Sequence, residues 1–126
     1  MPRLGELERT VMEVLWAADA ARPDTELTGR DVAAALPHHA YTTVLTVLDR
    51  LERKGLVRRS KAERTHRYAP AAAREAYIAE LMREALGSTT EPDAALARFV
   101  STVSPDEARV LRAALDRADD RPPPEQ

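Results

Sequence analysis

Between Tyr41 and Lys54 the chain carries an unbroken helical stripe, and a basic segment of a different periodicity follows at once. Val44, Val47, Leu48 and Leu51 stand at i, i+3, i+4 and i+7, the spacing that lines one face of a 3.6-residue helix. Gly55 follows in the place where helices commonly end on a residue of positive φ. At about 100° per residue, Thr42, Thr43, Thr46, Asp49, Arg50 and Arg53 gather on the opposite side. Branching at Cβ makes threonine a mediocre helix former. Three threonines on one outward face therefore need a reason other than helix stability.

The segments on either side set the context for this helix. Leu4, Leu7, Val11, Val14 and Leu15 predict a first helix over about Leu4 to Ala18, with Glu6 and Glu8 in its first turn and Pro23 beyond its end. Thr28-Gly-Arg-Asp31 has the spacing of a capping box and predicts a short second helix carrying Val32, Ala33 and Leu36 inward, closed by Pro37. After Gly55, Leu56-Val-Arg-Arg-Ser and Thr65-His-Arg-Tyr-Ala-Pro70 flank the polar stretch Lys61-Ala-Glu-Arg64, which reads as a hairpin. The remainder is helical. Tyr77, Ile78, Leu81, Met82 and Ala85 form one stripe, and Leu96, Phe99, Val100 and Val103 form the next. Ser104-Pro-Asp-Glu107 opens a last helix carrying Leu111, Ala114, Leu115 and Ala118, with Ser104 as N-cap and Pro105 at N1.

Helix, helix, helix, hairpin within about 70 residues is the winged helix-turn-helix plan, in which the helix before the hairpin enters the major groove of DNA. The expected fold is mainly α with a small β wing, a winged helix-turn-helix followed by a helical dimerisation domain. The expected boundaries are 1–70 for the DNA-binding domain, 71–118 for the dimerisation domain and 119–126 for a disordered tail. Threonine hydroxyls reach base edges or phosphates, and their methyls pack on thymine methyls. Arg50 and Arg53 suit phosphate or guanine. Arg58, Arg59, Lys61, Arg64 and Arg67 would follow the backbone along the wing. The formal net charge of −2 conceals an asymmetry: residues 50–67 hold eight Lys/Arg and two Glu. Phosphate binding needs such a local patch rather than a basic average.

Other classes fit poorly. There is no cysteine, so disulfides, thiolate metal sites and cysteine nucleophiles are excluded. No Gly-rich phosphate loop, H-E-x-x-H or nucleophile elbow occurs, and Ser60, Ser88, Ser101 and Ser104 stand in no catalytic setting. The chain is therefore read as a non-enzyme without cofactor. His38 and His39 are adjacent and cannot share a helix face; with His66 they read as structural or phosphate contacts rather than metal ligands. Trp16 and Tyr41 are expected to pack where the first and third helices meet, with a phosphate contact as the alternative for Tyr41; Tyr68 is expected to face inward. No apolar run approaches the roughly 20 residues of a membrane span, and the start lacks a signal peptide's apolar region, so a cytoplasmic protein is expected.

Three motifs resemble the penicillinase-repressor (BlaI/MecI) family. Leu7-Glu-Arg-Thr-Val-Met-Glu-Val-Leu-Trp16 resembles its first helix, Ala40-Tyr-Thr-Thr-Val-Leu-Thr-Val-Leu-Asp-Arg-Leu-Glu-Arg-Lys-Gly-Leu-Val57 its recognition helix and following turn, and His66-Arg-Tyr-Ala-Pro70 the end of its wing. The resemblance spans about residues 4–118. It implies a dimeric repressor of operators built from TACA and TGTA half-sites, controlling β-lactam or cell-envelope response genes. Thr43, Thr46 and Arg50 match the family's DNA-contacting face by position; where Thr42 stands, lysine also occurs. Family members are often relieved by a sensor-protease system that cleaves an Asn-Phe bond in the dimerisation region. The matching pair here is Arg98-Phe99, a departure that argues against a protease reading Asn-Phe. Copper-responsive relatives end in a cysteine cluster, which this chain lacks.

A homodimer is also expected on physical grounds. Short helices with one Phe make too small a core to stand alone, so Leu81, Leu96, Phe99, Val100, Leu111 and Leu115 are expected to meet a partner copy. Two alternatives remain at this point: a ligand-sensing winged-helix repressor of another family, and a winged helix that binds only protein.

Overall fold

A computed structural model describes residues 4–120. Helix α1 (Glu6–Ala21) buries Val11, Met12, Leu15 and Trp16. Its start is set by Glu8, whose carboxylate accepts the Gly5 N–H at 2.9 Å. Helix α2 (Gly29–Ala35) begins on the expected capping box: Thr28 Oγ1 accepts the Asp31 N–H at 3.1 Å, and the Asp31 carboxylate accepts the Thr28 N–H at 3.0 Å. Helix α3 (Tyr41–Arg53) buries Val44, Val47, Leu48 and Leu51, the stripe read from the sequence.

The end of α3 is a Schellman motif. The Gly55 N–H donates to the Glu52 carbonyl at 2.9 Å and the Leu56 N–H to the Leu51 carbonyl at 3.0 Å. Gly55 takes φ +78° to close these bonds. Leu51 and Leu56, both buried, make the apolar contact that accompanies the motif. The chain then enters β2 (Val57–Ala62) and returns as β3 (Thr65–Pro70).

The sheet has a third strand that the periodicity did not announce. Strand β1 (Leu27–Thr28) pairs antiparallel with β3, Leu27 opposite Tyr68, giving the order β1-β3-β2. Two residues are too few to show alternation; the strand exists because β3 offers it an edge. The hairpin loop is only Glu63 and Arg64, with φ 58° and 124°. Two-residue hairpin loops need positive φ to match strand twist, and here residues with side chains supply it.

Helices α1, α2 and α3 and the sheet close one core. Tyr77 of α4 (Arg74–Leu86) joins it, 3% exposed, with its ring 5.5 Å from that of Trp16. The Trp16 Nε1–H donates to the Ala72 carbonyl at 3.0 Å. Trp16 is thus a core residue as expected, but its partner is Tyr77 rather than Tyr41. Tyr41 is 39% exposed and lies at the start of α3 beside α2. This corrects the expected junction with α1, because the buried stripe of α3 starts only at Val44.

Residues up to Met82 form one compact unit and those from Arg83 another. In the second, α5 (Pro92–Val100) and α6 (Pro105–Asp119) bury no residue. Ser104 Oγ accepts the Glu107 N–H at 3.1 Å and the Glu107 carboxylate accepts the Ser104 N–H at 2.8 Å, the expected box. Of the tail expected over 119–126, Asp119 ends α6 and Asp120 is its C-cap; residues 121–126 lie outside the described residues. Among the described residues no helix is long and apolar enough to cross a membrane.

Candidate nucleic-acid interface

Burial of Val44, Val47, Leu48 and Leu51 forces the opposite face of α3 outward. Thr42, Thr43, Thr46 and Arg50 are all exposed. The Thr46 hydroxyl donates to the Thr42 carbonyl at 3.0 Å, which leaves its oxygen free to accept. Arg53, expected as a DNA contact, sits in an ion pair with Asp49 at 2.9 Å, one turn back on the same face. That pair is exposed and weak, so Arg53 can exchange Asp49 for a phosphate.

On the wing, Arg58, Lys61 and Arg64 are exposed and Arg67 half-buried. None of these four, nor Arg50, forms an ion pair among the described residues. Arg59 differs: it pairs with Glu52 of α3 at 2.9 Å, tying the wing to that helix. It also flanks Tyr68, whose phenol is pushed up by burial, with the Arg59 charge opposing. Tyr68 is buried, facing inward as expected.

Two features of the site escaped the sequence reading. Glu8, read as a helix-dipole acid, is a buried carboxylate bonded to Lys54 Nζ at 2.7 and 2.9 Å. The Lys54 hydrogen bond holds its carboxyl below the usual range against the opposing effect of burial, helped by the Gly5 N–H and the charges of Lys54 and Arg50. The pair clamps the C-terminal end of α3 to the start of α1. Arg30 is the second feature: its guanidinium lies 5.0 Å from the centroid of the Tyr41 ring. Neither partner pair shows helical or strand spacing, so no sequence signal marks them. His38, His39 and His66 are exposed, and among the described residues no group of His, Cys, Asp and Glu is placed to hold a metal.

The dimerisation candidates divide by exposure. Leu96, Phe99, Val100 and Leu115 are 47%, 48%, 51% and 57% exposed. Leu111 is half-buried, and Leu81 packs partly against the core of the first unit. The Arg98–Phe99 bond lies in the last turn of α5, where Ser101 Oγ donates to the Arg98 carbonyl at 2.6 Å.

A three-helix core with a hairpin wing, an outward hydroxyl face and unpaired cations beside it defines a winged helix-turn-helix of the DNA-binding class. Comparison with known proteins carries this to a family. The penicillinase-repressor family model matches residues 4–117. Transcriptional regulator BlaI from two strains of Mycobacterium tuberculosis is 43% identical over 118 residues, 91% of this chain and 84% of the relative. The chain belongs to the penicillinase-repressor family of DNA-binding transcriptional regulators, and it is not an enzyme. That membership sets aside a repressor of another family. Similar solved structures include the DNA complex of MepR from S. aureus, at 23% identity and TM-score 0.49 over 91% of this chain and 77% of that one. A MarR family protein from Bacillus stearothermophilus aligns at 21% identity and TM-score 0.40, covering 90% and 81%.

Proposed function

We propose that this chain is a cytoplasmic homodimeric repressor that binds an inverted repeat of TACA and TGTA half-sites and controls β-lactam or cell-envelope response genes. Residues 1–70 serve as the DNA-binding domain and 71–118 as the dimerisation domain. The observation that carries this reading is the outward face of α3, where Thr42, Thr43, Thr46 and Arg50 are exposed beside the wing's Arg58, Lys61, Arg64 and Arg67, which have no ion pair among the described residues. In this reading Thr43, Thr46 and Arg50 touch bases, with Thr42 at the helix start, while Arg53, Arg58, Lys61, Arg64 and Arg67 hold phosphates.

Fluorescence anisotropy with a TACA/TGTA inverted-repeat duplex and a scrambled duplex tests the proposal. Specific binding at least about a thousandfold tighter than to the scrambled duplex is expected. Equal affinity for both would leave a non-specific DNA binder and refute the operator assignment.

A sensor-protease system is the partner the family suggests for ending repression. With Arg98 in place of Asn, the bond expected to be cut is Arg98–Phe99. Immunoblots before and after β-lactam exposure test this: a fragment ending near Arg98 supports cleavage, and induction with the chain intact excludes it.

A further inference from the structure

Beside the exposed threonine face of α3 lies a cleft of which the proposed function uses only Arg64. It measures about 460 Å³ and opens between three elements: Gly29 and Arg30 at the start of α2, Tyr41 at the start of α3, and Arg64 and His66 on the wing. Gly29 makes the close approach of α2 and α3 possible. A Cβ there would stand 2.6 Å from Leu45 Cδ2 and 3.6 Å from the Tyr41 ring. That approach brings Arg30 over Tyr41, with 5.0 Å from guanidinium to ring centroid; stacking on an aromatic face holds a guanidinium while leaving its in-plane donors free.

The cleft carries cations with no acid in its lining. Its lining contains two arginines and an imidazole and no carboxylate. Neither Arg30 nor Arg64 has an ion pair among the described residues. Of the acids near Arg30, Asp31 accepts the Thr28 N–H and Glu26 accepts the Ser60 hydroxyl at 2.8 Å; Glu63, next to Arg64 in the wing turn, is not part of the lining. Ala40, the N-cap of α3, offers no side-chain acceptor to the first-turn N–H groups, so the positive end of the helix dipole adds to the same field. Cations of one sign gathered without acids favour an anion, and a forked guanidinium favours phosphate.

The position of the cleft names the source of that phosphate. It lies between the start of α3 and the wing, so a duplex that touches both passes its backbone over the opening. We infer that this cleft seats one phosphate of the DNA backbone, held by Arg30 from α2 and by Arg64 and His66 from the wing, with Tyr41 positioning Arg30. The inference rests on the reading that α3 enters a DNA groove. It adds a contact from an element outside both the recognition helix and the wing, and fixes the depth and register at which α3 sits.

The test pairs protein and DNA changes in one anisotropy experiment. Neutralising single phosphates of the TACA/TGTA duplex as methylphosphonates should weaken wild-type binding at each phosphate that the cations hold, and one of these in each half-site lies over the cleft. Arg30→Gln should weaken binding about tenfold per half-site and lower the salt slope by about one for each protomer. The methylphosphonate over the cleft should lose most of its effect in Arg30→Gln while the others keep theirs, and Arg30→Lys should restore the slope. Arg30 is exposed, so the unfolding midpoint should not move; the methylphosphonate scan on the wild type needs no variant at all. If Thr46→Ala loses affinity while Arg30→Gln binds as the wild type does and shows the same methylphosphonate profile, the seat is wrong and the DNA reading stands. If the wild type binds no duplex, both fall. Saturation of the cleft by micromolar inorganic phosphate, with DNA affinity indifferent to Arg30, would identify a free anion and overturn the backbone assignment.

Discussion

Two single residues hold the recognition helix at its C-terminal end. Gly55 sits at φ +78° with nothing within 4 Å of where a Cβ would stand, so Gly55→Ala meets no clash and pays only the cost of left-handed backbone. A loss of about 1 kcal/mol is expected, read as a lower urea midpoint with unchanged m-value. Glu8 is the other. Removing its charge leaves Lys54, 29% exposed, without its partner, and Glu8→Gln should cost about 1–3 kcal/mol at neutral pH. The folded carboxyl is held below its ordinary value of 4.5. Its stabilisation is therefore complete above that value and disappears as pH falls through the lower folded value. Urea melts of wild type and variant should accordingly differ at pH 7 and converge in acid; a constant difference across that range would contradict the assignment.

At the scale of elements, the proposed function divides base readout and phosphate binding between α3 and the wing. Thr46 stands mid-face on α3, and Arg64 stands at the turn of the wing. Thr46→Ala should cost about 1–3 kcal/mol of discrimination between the inverted repeat and a base-substituted duplex. Arg64→Ala should weaken both duplexes alike and flatten the salt dependence. Identical losses on both DNAs from both variants would show that the two elements are not specialised. The Arg59–Glu52 bridge ties β2 to α3, so on the proposed reading the two would meet one duplex at a set spacing. The stripe of α3 and both predicted capping boxes were readable because each is a local pattern of i, i+3 and i+4 relations. Strand β1 and the Arg30–Tyr41 stack were not, because each needs a neighbour supplied by another element.

For the whole molecule, the exposed apolar side chains of α5 and α6 are the outstanding feature. Leu96, Phe99, Val100, Val110 and Leu115 are all 47% exposed or more, and neither helix buries a residue in the single chain. Large apolar side chains gathered on two helices and left open in the single chain are what a partner copy would cover. Sedimentation equilibrium at micromolar concentration should show a dimer, and Phe99→Asp should shift it to monomer. Operator affinity should then fall by about a hundredfold or more, because linked half-sites bind through effective concentration. A monomeric wild type would count against the dimer.

Local order along the chain was set by the sequence alone: which segments coil, where Thr28, Ser104 and Gly55 start or stop them, and that Thr42, Thr43, Thr46 and Arg50 must face away from Val44, Val47, Leu48 and Leu51. These follow from backbone geometry, which acts over a few residues. Only the tertiary structure decided which distant groups meet. Glu8 and Lys54 are bonded across 46 positions, Trp16 takes Tyr77 as its ring partner, and Tyr41 leaves the core to carry Arg30. Among the basic residues read as one patch, it also decided which are neutralised: Arg53, Lys54 and Arg59 have carboxylate partners, while Arg50, Arg58, Lys61, Arg64 and Arg67 have none among the described residues. Formal charge is additive along a sequence, but the field that a phosphate meets depends on distances that only packing sets.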